Sequence, residues 1–106
     1  MAQVKLLIVD DEVKIVNIYK QFFELNGFDV LVTMRGEEAV QLVEQHKPHV
    51  VLLDWRLEGS KLQGLDVLER TKALLPKTVV LMYSGYSGVE KEEALRRGAD
   101  QFLEKP

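Results

Sequence analysis

The stretch Val50-Val51-Leu52-Leu53-Asp54 runs four apolar residues into one carboxylate, and the polar, glycine-bearing segment Trp55 to Gly64 follows at once. A short unbroken apolar run bounded by turn signals reads as a strand buried on both faces. In open parallel sheets the chemistry sits in the crevice beyond the carboxyl ends of such strands, and Asp54 stands at one of them. A lone Asp in that place could equally cap the following segment, so its meaning depends on what else reaches the same edge.

Working outward towards the N-terminus, Val4 to Val9 is a second β-rich run, and it too finishes on carboxylates, Asp10-Asp11-Glu12. From Val13 the apolar period becomes helical, through Val16, Tyr19 and Phe23, and Gly27 suits the left-handed residue that closes such a helix. Asp29 to Thr33 is β-like. Gly36 to Glu44 is helical, with Glu37 and Glu38 in the first turn where the helix dipole favours acids, and Pro48 ends it. Towards the C-terminus, Leu65 to Leu75 is an amphipathic helix stopped by Pro76, and Val79 to Tyr83 is a long β run ending at Ser84-Gly85. Glu90 to Arg97 is a short helix closed by Gly98, and Gln101-Phe102-Leu103 makes a last strand before Glu104-Lys105-Pro106. The alternation βαβαβαβαβ implies a parallel sheet with right-handed crossovers and helices on both faces. No helix follows the fifth strand. One sheet face is therefore expected to lack cover unless a partner or second copy supplies it.

Composition narrows the class without naming a function. The chain has 106 residues, 46% hydrophobic and 29% charged, which suits one globular domain. No apolar run approaches the roughly 20 residues of a membrane span, and Met1 to Lys5 has no signal-peptide anatomy. The absence of cysteine removes disulfides, thiolate metal sites and thiol catalysis, and it fits a cytoplasmic setting. A net charge of -3 argues against nucleic-acid binding by this domain.

Parallel strands bring their carboxyl ends to one edge, so Asp10, Asp11, Asp54, Ser84 and Lys105 are expected to converge. Carboxylates that close repel one another, and keeping them ionised calls for a cation. Mg²⁺ suits such a site, because it takes one or two carboxylates, keeps several waters and completes its shell with phosphate oxygens. With a Lys as a point charge and a hydroxyl donor, the suggested chemistry is phosphoryl transfer to a carboxylate nucleophile. Each residue also has a plainer reading. Asp10-Asp11 could cap the next helix, Ser84-Gly85 could be turn chemistry, Lys105 a solvated terminus and Phe102 simple core. His46 and His49 read as surface, and Trp55 as either a lid or a partly buried ring.

Val9-Asp10-Asp11-Glu12, Leu53-Asp54, Tyr83-Ser84-Gly85 and Phe102-Leu103-Glu104-Lys105-Pro106, in this order, resemble the receiver domain of two-component response regulators. The resemblance implies an α/β, flavodoxin-like, doubly wound five-stranded parallel sheet of order 2-1-3-4-5, one receiver domain over residues 1–106 without the last helix. It implies that Asp54 is the phosphoacceptor. Asp11 would hold Mg²⁺ directly and Asp10 through a water, with Asp54 and the Arg56 carbonyl completing the protein ligands. Lys105 would pair with Asp54 and then the phosphoryl group, Ser84 would donate its hydroxyl, and Phe102 would be the switch aromatic. The Lys105-Pro106 bond resembles a family cis peptide. Implied partners are a histidine kinase or phosphotransfer protein and an output domain or protein. The domain would be no enzyme beyond its own phosphorylation and dephosphorylation.

Two departures matter. The family usually follows its acceptor with Met-Pro-Gly-x-Asp-Gly, but this chain has Trp55 to Gly64, with Glu58 for the Pro and the closing glycine two residues late. That leaves the loop and the placing of the Arg56 carbonyl open. Arg56 and Tyr86, which flank the phosphoryl position, are both large, so slow loss of phosphate is expected. The incomplete last layer predicts a non-standard homodimer, swapped or joined through a sheet face. The alternatives are a receiver-like interaction module that takes no phosphate, an aspartyl-phosphate hydrolase and a flavodoxin-like cofactor binder. The hydrolase would want an acid where Arg56 stands. The cofactor binder would want a hydroxyl- and glycine-rich loop where Asp10-Asp11-Glu12 would repel phosphate.

Overall fold

Leu52 and its neighbours form the middle of the sheet because both faces of this strand find apolar cover. In the computed structural model, which describes residues 3–85 and 89–105, β1 (Lys5–Val9), α1 (Val13–Leu25), β2 (Asp29–Thr33), α2 (Gly36–His46) and β3 (Val50–Asp54) are followed by α3 (Gly64–Leu74), β4 (Val79–Ser84), α4 (Val89–Arg96) and β5 (Gln101–Glu104). The strands are all parallel, in the order β2-β1-β3-β4-β5. The flavodoxin-like arrangement expected from the motifs is the one observed, with helix and strand ends within a residue or two of the expected ones.

Strand alternation divides the core in two. Leu7, Val9, Val51, Leu53, Val80 and Met82 point to the face covered by α2, α3 and α4, where Ala39, Val43, Val67, Leu68 and Ala94 meet them. Leu6, Ile8, Leu52 and Tyr83 point to the face where Tyr19 and Phe23 of α1 pack. This explains why the sequences of β1 and β3 are apolar without alternation. Helix α1 is closed by Gly27 at φ +90°, with the Gly27 amide donating to the Glu24 carbonyl and the Phe28 amide to that of Phe23. The Phe23 and Phe28 rings meet edge to face at 5.4 Å, the apolar contact that accompanies this C-terminal motif. The α1 face is the thinner layer. Ile18, Phe22 and Leu25 of α1 and Leu103 of β5 are exposed. Among the described residues no helix is long and apolar enough to cross a membrane.

His49 is exposed, but its ring still serves the fold. The imidazole Nδ1 of His49 accepts the Lys5 amide at 2.9 Å, tying the start of β1 to the approach to β3.

The segment between β3 and α3 is not a loose surface loop. Leu57 is fully buried in the larger core cluster, and Leu62 and Trp55 pack against the same cluster. Leu57→Ala is therefore expected to cost about 2–5 kcal/mol in a denaturant titration, the range for emptying a core leucine site. Leu25→Ala on the exposed face of α1 should change stability by about 0.5 kcal/mol or less. A Leu57→Ala cost equal to that of Leu25→Ala would show that the loop does not belong to the core.

Candidate functional site

Parallel pairing in register carries the ends of β1, β3, β4 and β5 to one edge, where Val9 pairs with Leu53, Asp54 with Tyr83, and Ser84 with Glu104. The side chains just beyond these pairs line one crevice of about 460 Å³: Asp11, Glu12, Asp54, Arg56, Glu58, Ser84, Gly85 and Lys105. At ~30 Å³ of liquid volume per water, that has room for a hydrated ion and a phosphoryl group.

Lys105 is the hub. Its Nζ lies 3.0 Å from Asp54 Oδ2, 3.1 Å from Glu12 Oε1 and 3.5 Å from Asp10 Oδ2, and 5.1 Å above the centre of the Tyr83 ring. Asp10 and Asp54 are both buried, at 0% and 4% exposure, so two carboxylates share one ammonium out of bulk water. Burial pushes the Asp54 carboxyl up against the pull of the Lys105 hydrogen bond, and the Asp10 charge adds to the rise, from 3.8 to about 7. Burial opposes the Lys105 charge, but hydrogen bonds from its ammonium to Asp54 and Glu12 outweigh it, so the ammonium is held more firmly than a free lysine's.

Asp10 is committed to protein donors. Its Oδ1 accepts the Glu12 amide at 2.8 Å, and its Oδ2 accepts the Tyr83 hydroxyl. Helix α1 begins without a side-chain cap, so Asp10 shapes the turn into the helix and does not cap it. Burial and the Asp10 acceptor together push the Tyr83 hydroxyl far up, so it stays protonated and donates. Asp11 is partly exposed, and its Oδ2 accepts the Glu58 amide at 3.1 Å.

Ligand oxygens of Asp10, Asp11 and Glu12 lie within 4.8 Å of one another. An octahedral Mg²⁺ with bonds of about 2.0–2.1 Å separates opposite ligands by about 4.2 Å. Carboxylates clustered this closely fit the chemistry of such an ion. All of its donors are hard oxygens.

The structure brings Asp10, Asp11, Asp54, Arg56, Ser84 and Lys105 together. Phe102 stands apart from the crevice, half-buried, with its ring edge to face with Trp55 at 6.4 Å. Trp55 is thus a partly buried ring on the α3–α4 side and does not line the acidic crevice. Tyr86 and Pro106 lie outside the described residues, and with them the second flanking position and the isomer of the Lys105-Pro106 bond.

Three participants were given no role by the sequence. Glu12 was visible as an acid but not as a partner of Lys105. Tyr83 could have been found from its pairing with Asp54. Glu90 could not: its carboxylate takes the Ser84 hydroxyl at 2.6 Å across six residues, a contact that no motif describes.

The family model of the response regulator receiver domain matches residues 6–106. The chain belongs to that family. As a receiver it is similar to the nitrogen assimilation regulatory protein NtrX of Azorhizobium caulinodans, 34% identical over 95% of this chain and 22% of the relative. It is also similar to the alkaline phosphatase synthesis transcriptional regulatory protein PhoP of Bacillus subtilis, 34% identical over 96% of this chain and 42% of the relative. The chain thus spans less than half the length of these curated relatives. Among solved structures, the CheY-like receiver domain protein of Methanospirillum hungatei superposes with a TM-score of 0.93 at 28% identity, covering 99% of this chain and 83% of that one. The receiver domain of NtrX from Brucella abortus gives 0.88 at 34%, covering 95% and 85%. Receivers are signalling modules of two-component systems.

The raised Asp54 carboxyl has a consequence for stability. Its folded value, about 7, lies above the unfolded value near 3.9, so the penalty is absent below about pH 4 and complete above pH 7. Asp54→Asn should therefore stabilise the metal-free fold at pH 8 by about 1–3 kcal/mol, discounted for the crevice's access to water, and hardly at all at pH 4. Thermal unfolding at the two pH values reads this directly. An Asn variant less stable than the parent at pH 8 would contradict it.

Proposed function

We propose that this receiver is a phosphorylation switch in which Asp54 accepts a phosphoryl group from a phosphohistidine on a partner kinase or phosphotransfer protein. The observation that carries the reading is the contact of Lys105 with Asp54 at 3.0 Å inside the acidic crevice. An ammonium there orients the nucleophile and meets the charge that transfer brings.

Asp11, Asp54 and the Arg56 carbonyl would hold Mg²⁺, with Asp10 acting through a water. The bound ion would supply charge neutralisation at the phosphoryl oxygens. An Asp54 oxygen attacks phosphorus in line as the P–N bond to the donor imidazole breaks. The electron pair of that bond leaves with the imidazole, which takes up a proton. Lys105 stays close to the new acyl phosphate and balances part of its charge. Ser84 gives up Glu90 and turns its hydroxyl towards a phosphoryl oxygen, a trade favoured because the product is the more highly charged acceptor. Loss of the Ser84–Glu90 bond frees the start of α4, and Phe102, packed beside α4 and Trp55, repacks with it. That movement is the signal passed to an output domain or protein, in the cytoplasm where such kinases present their phosphohistidine.

Incubation with acetyl phosphate and Mg²⁺ should add one phosphoryl mass to the protein and none to Asp54→Asn. Equal labelling of the two would remove Asp54 from the role. Arg56, exposed at the mouth with its amide 3.4 Å from Asp54 Oδ1, restricts approach of water to the acyl phosphate. Arg56→Ala should speed loss of phosphate by roughly 3–10-fold, about 1 kcal/mol off the barrier. An unchanged decay rate would show that Arg56 does not guard the site.

A further inference from the structure

The Gln63 carboxamide holds one short piece of backbone from both sides. Its Oε1 accepts the Leu57 amide at 2.9 Å, while its Nε2 donates to the Leu57 carbonyl at 2.8 Å and the Ser60 carbonyl at 2.9 Å. Leu57 itself is fixed by burial, with no exposed surface. A peptide unit is planar, and no cis bond occurs among the described residues. Fixing the Leu57 N–H therefore fixes the Arg56 carbonyl, which belongs to the same unit and points the opposite way, away from Gln63. The Leu57 carbonyl shares the next unit with the Glu58 amide, which donates to Asp11 Oδ2 at 3.1 Å. One side chain thus sets two consecutive peptide planes, and each reaches the acidic crevice.

The segment is anchored at its far end as well. The Leu62 amide donates to Glu37 Oε1 at 2.8 Å, the Gly36 amide to Ser60 Oγ at 3.2 Å, and the Gly64 amide to the Trp55 carbonyl at 3.1 Å. A side chain at Gly64 would collide with the Asp54 and Trp55 carbonyls. The longer loop is thus closed on itself by Gln63 and against α2 by Glu37.

We infer that Gln63 is a positioning residue for divalent-metal binding: by clamping both peptide groups of Leu57 it presents the Arg56 carbonyl and, through the Glu58 amide, the Asp11 carboxylate to the cation. The inference rests on the reading of the crevice as a Mg²⁺ site. Outer contacts of this kind typically govern 10–100-fold in metal affinity.

Gln63→Met keeps the length and bulk of the side chain and removes its hydrogen bonds to Leu57 and Ser60, along with its share of the capping box that opens α3. Calorimetric titration with MgCl₂ should show affinity about tenfold weaker than the parent. Lys72→Met, which breaks the Lys72 bonds to Thr78 and Asp100 at the other end of α3, should lower stability and leave the Mg²⁺ affinity unchanged. A second measurement needs no substitution. In the parent, saturation with Mg²⁺ should polarise the Arg56–Leu57 peptide unit and move the Leu57 amide proton downfield. Gln63→Met binding within twofold of the parent, or a Leu57 amide that does not move, would overturn the inference. A parent that binds no Mg²⁺ at all would instead overturn the reading of the site, and the positioning role would fall with it.

Discussion

Asp10 and Asp54 are two carboxylates buried within one crevice, and the Lys105 ammonium reaches both, closer to Asp54 than to Asp10. A buried charge is tolerated only when it is paired and hydrogen-bonded, and this arrangement falls one positive charge short. Asp10 meets its need with the Glu12 amide and the Tyr83 hydroxyl. Asp54 has Lys105 and a longer bond from the Arg56 amide, and its carboxyl is pushed up as a result. The edge of the sheet is therefore held short of electrostatic balance. A second cation would relieve that shortage, which is a physical reason for the divalent-ion site proposed above.

The rest of the fold keeps those groups from moving apart. Strands β1, β3 and β4 are buried on both faces, so a one-residue slip would exchange the side chains that pack against α2, α3 and α4 with those that pack against α1. The segment after β3 is pinned by Leu57 in the core, by Gln63 on its backbone and by Glu37 and Ser60 at the start of α2. At the end of β4 the Ser84 hydroxyl meets the Glu90 carboxylate of the short helix α4. In the switch proposed above, this is the contact whose partner is exchanged.

Most of the architecture was legible in the sequence. Unbroken apolar runs ending in Asp10, Asp54 and Ser84 marked the strands and their active edge, and Gly27, Pro48 and Pro76 marked the helix ends. Convergence of Asp11, Asp54, Ser84 and Lys105 followed from parallel topology alone. The contacts of Glu90 and Gln63 were not legible, because each depends on where a side chain turns after its backbone is placed. Gln63 shows the limit most clearly. A polar residue before a glycine reads as loop, and only the fold of the two-residue-longer segment puts its carboxamide against both sides of Leu57. Phe102 illustrates the converse: its family role was readable, yet its half-buried packing against Trp55 depends on neighbours from two other elements.

The shortage of positive charge around Asp54 is open to direct measurement by following the side-chain carboxyl carbon of Asp54 through a pH titration by ¹³C NMR, in the absence of divalent ions. The account predicts a midpoint near 7. A midpoint near the ordinary 3.9 of an exposed aspartate would mean that Lys105 and water already satisfy the carboxylate, and would contradict the claim that the crevice is built around an unmet demand for a cation.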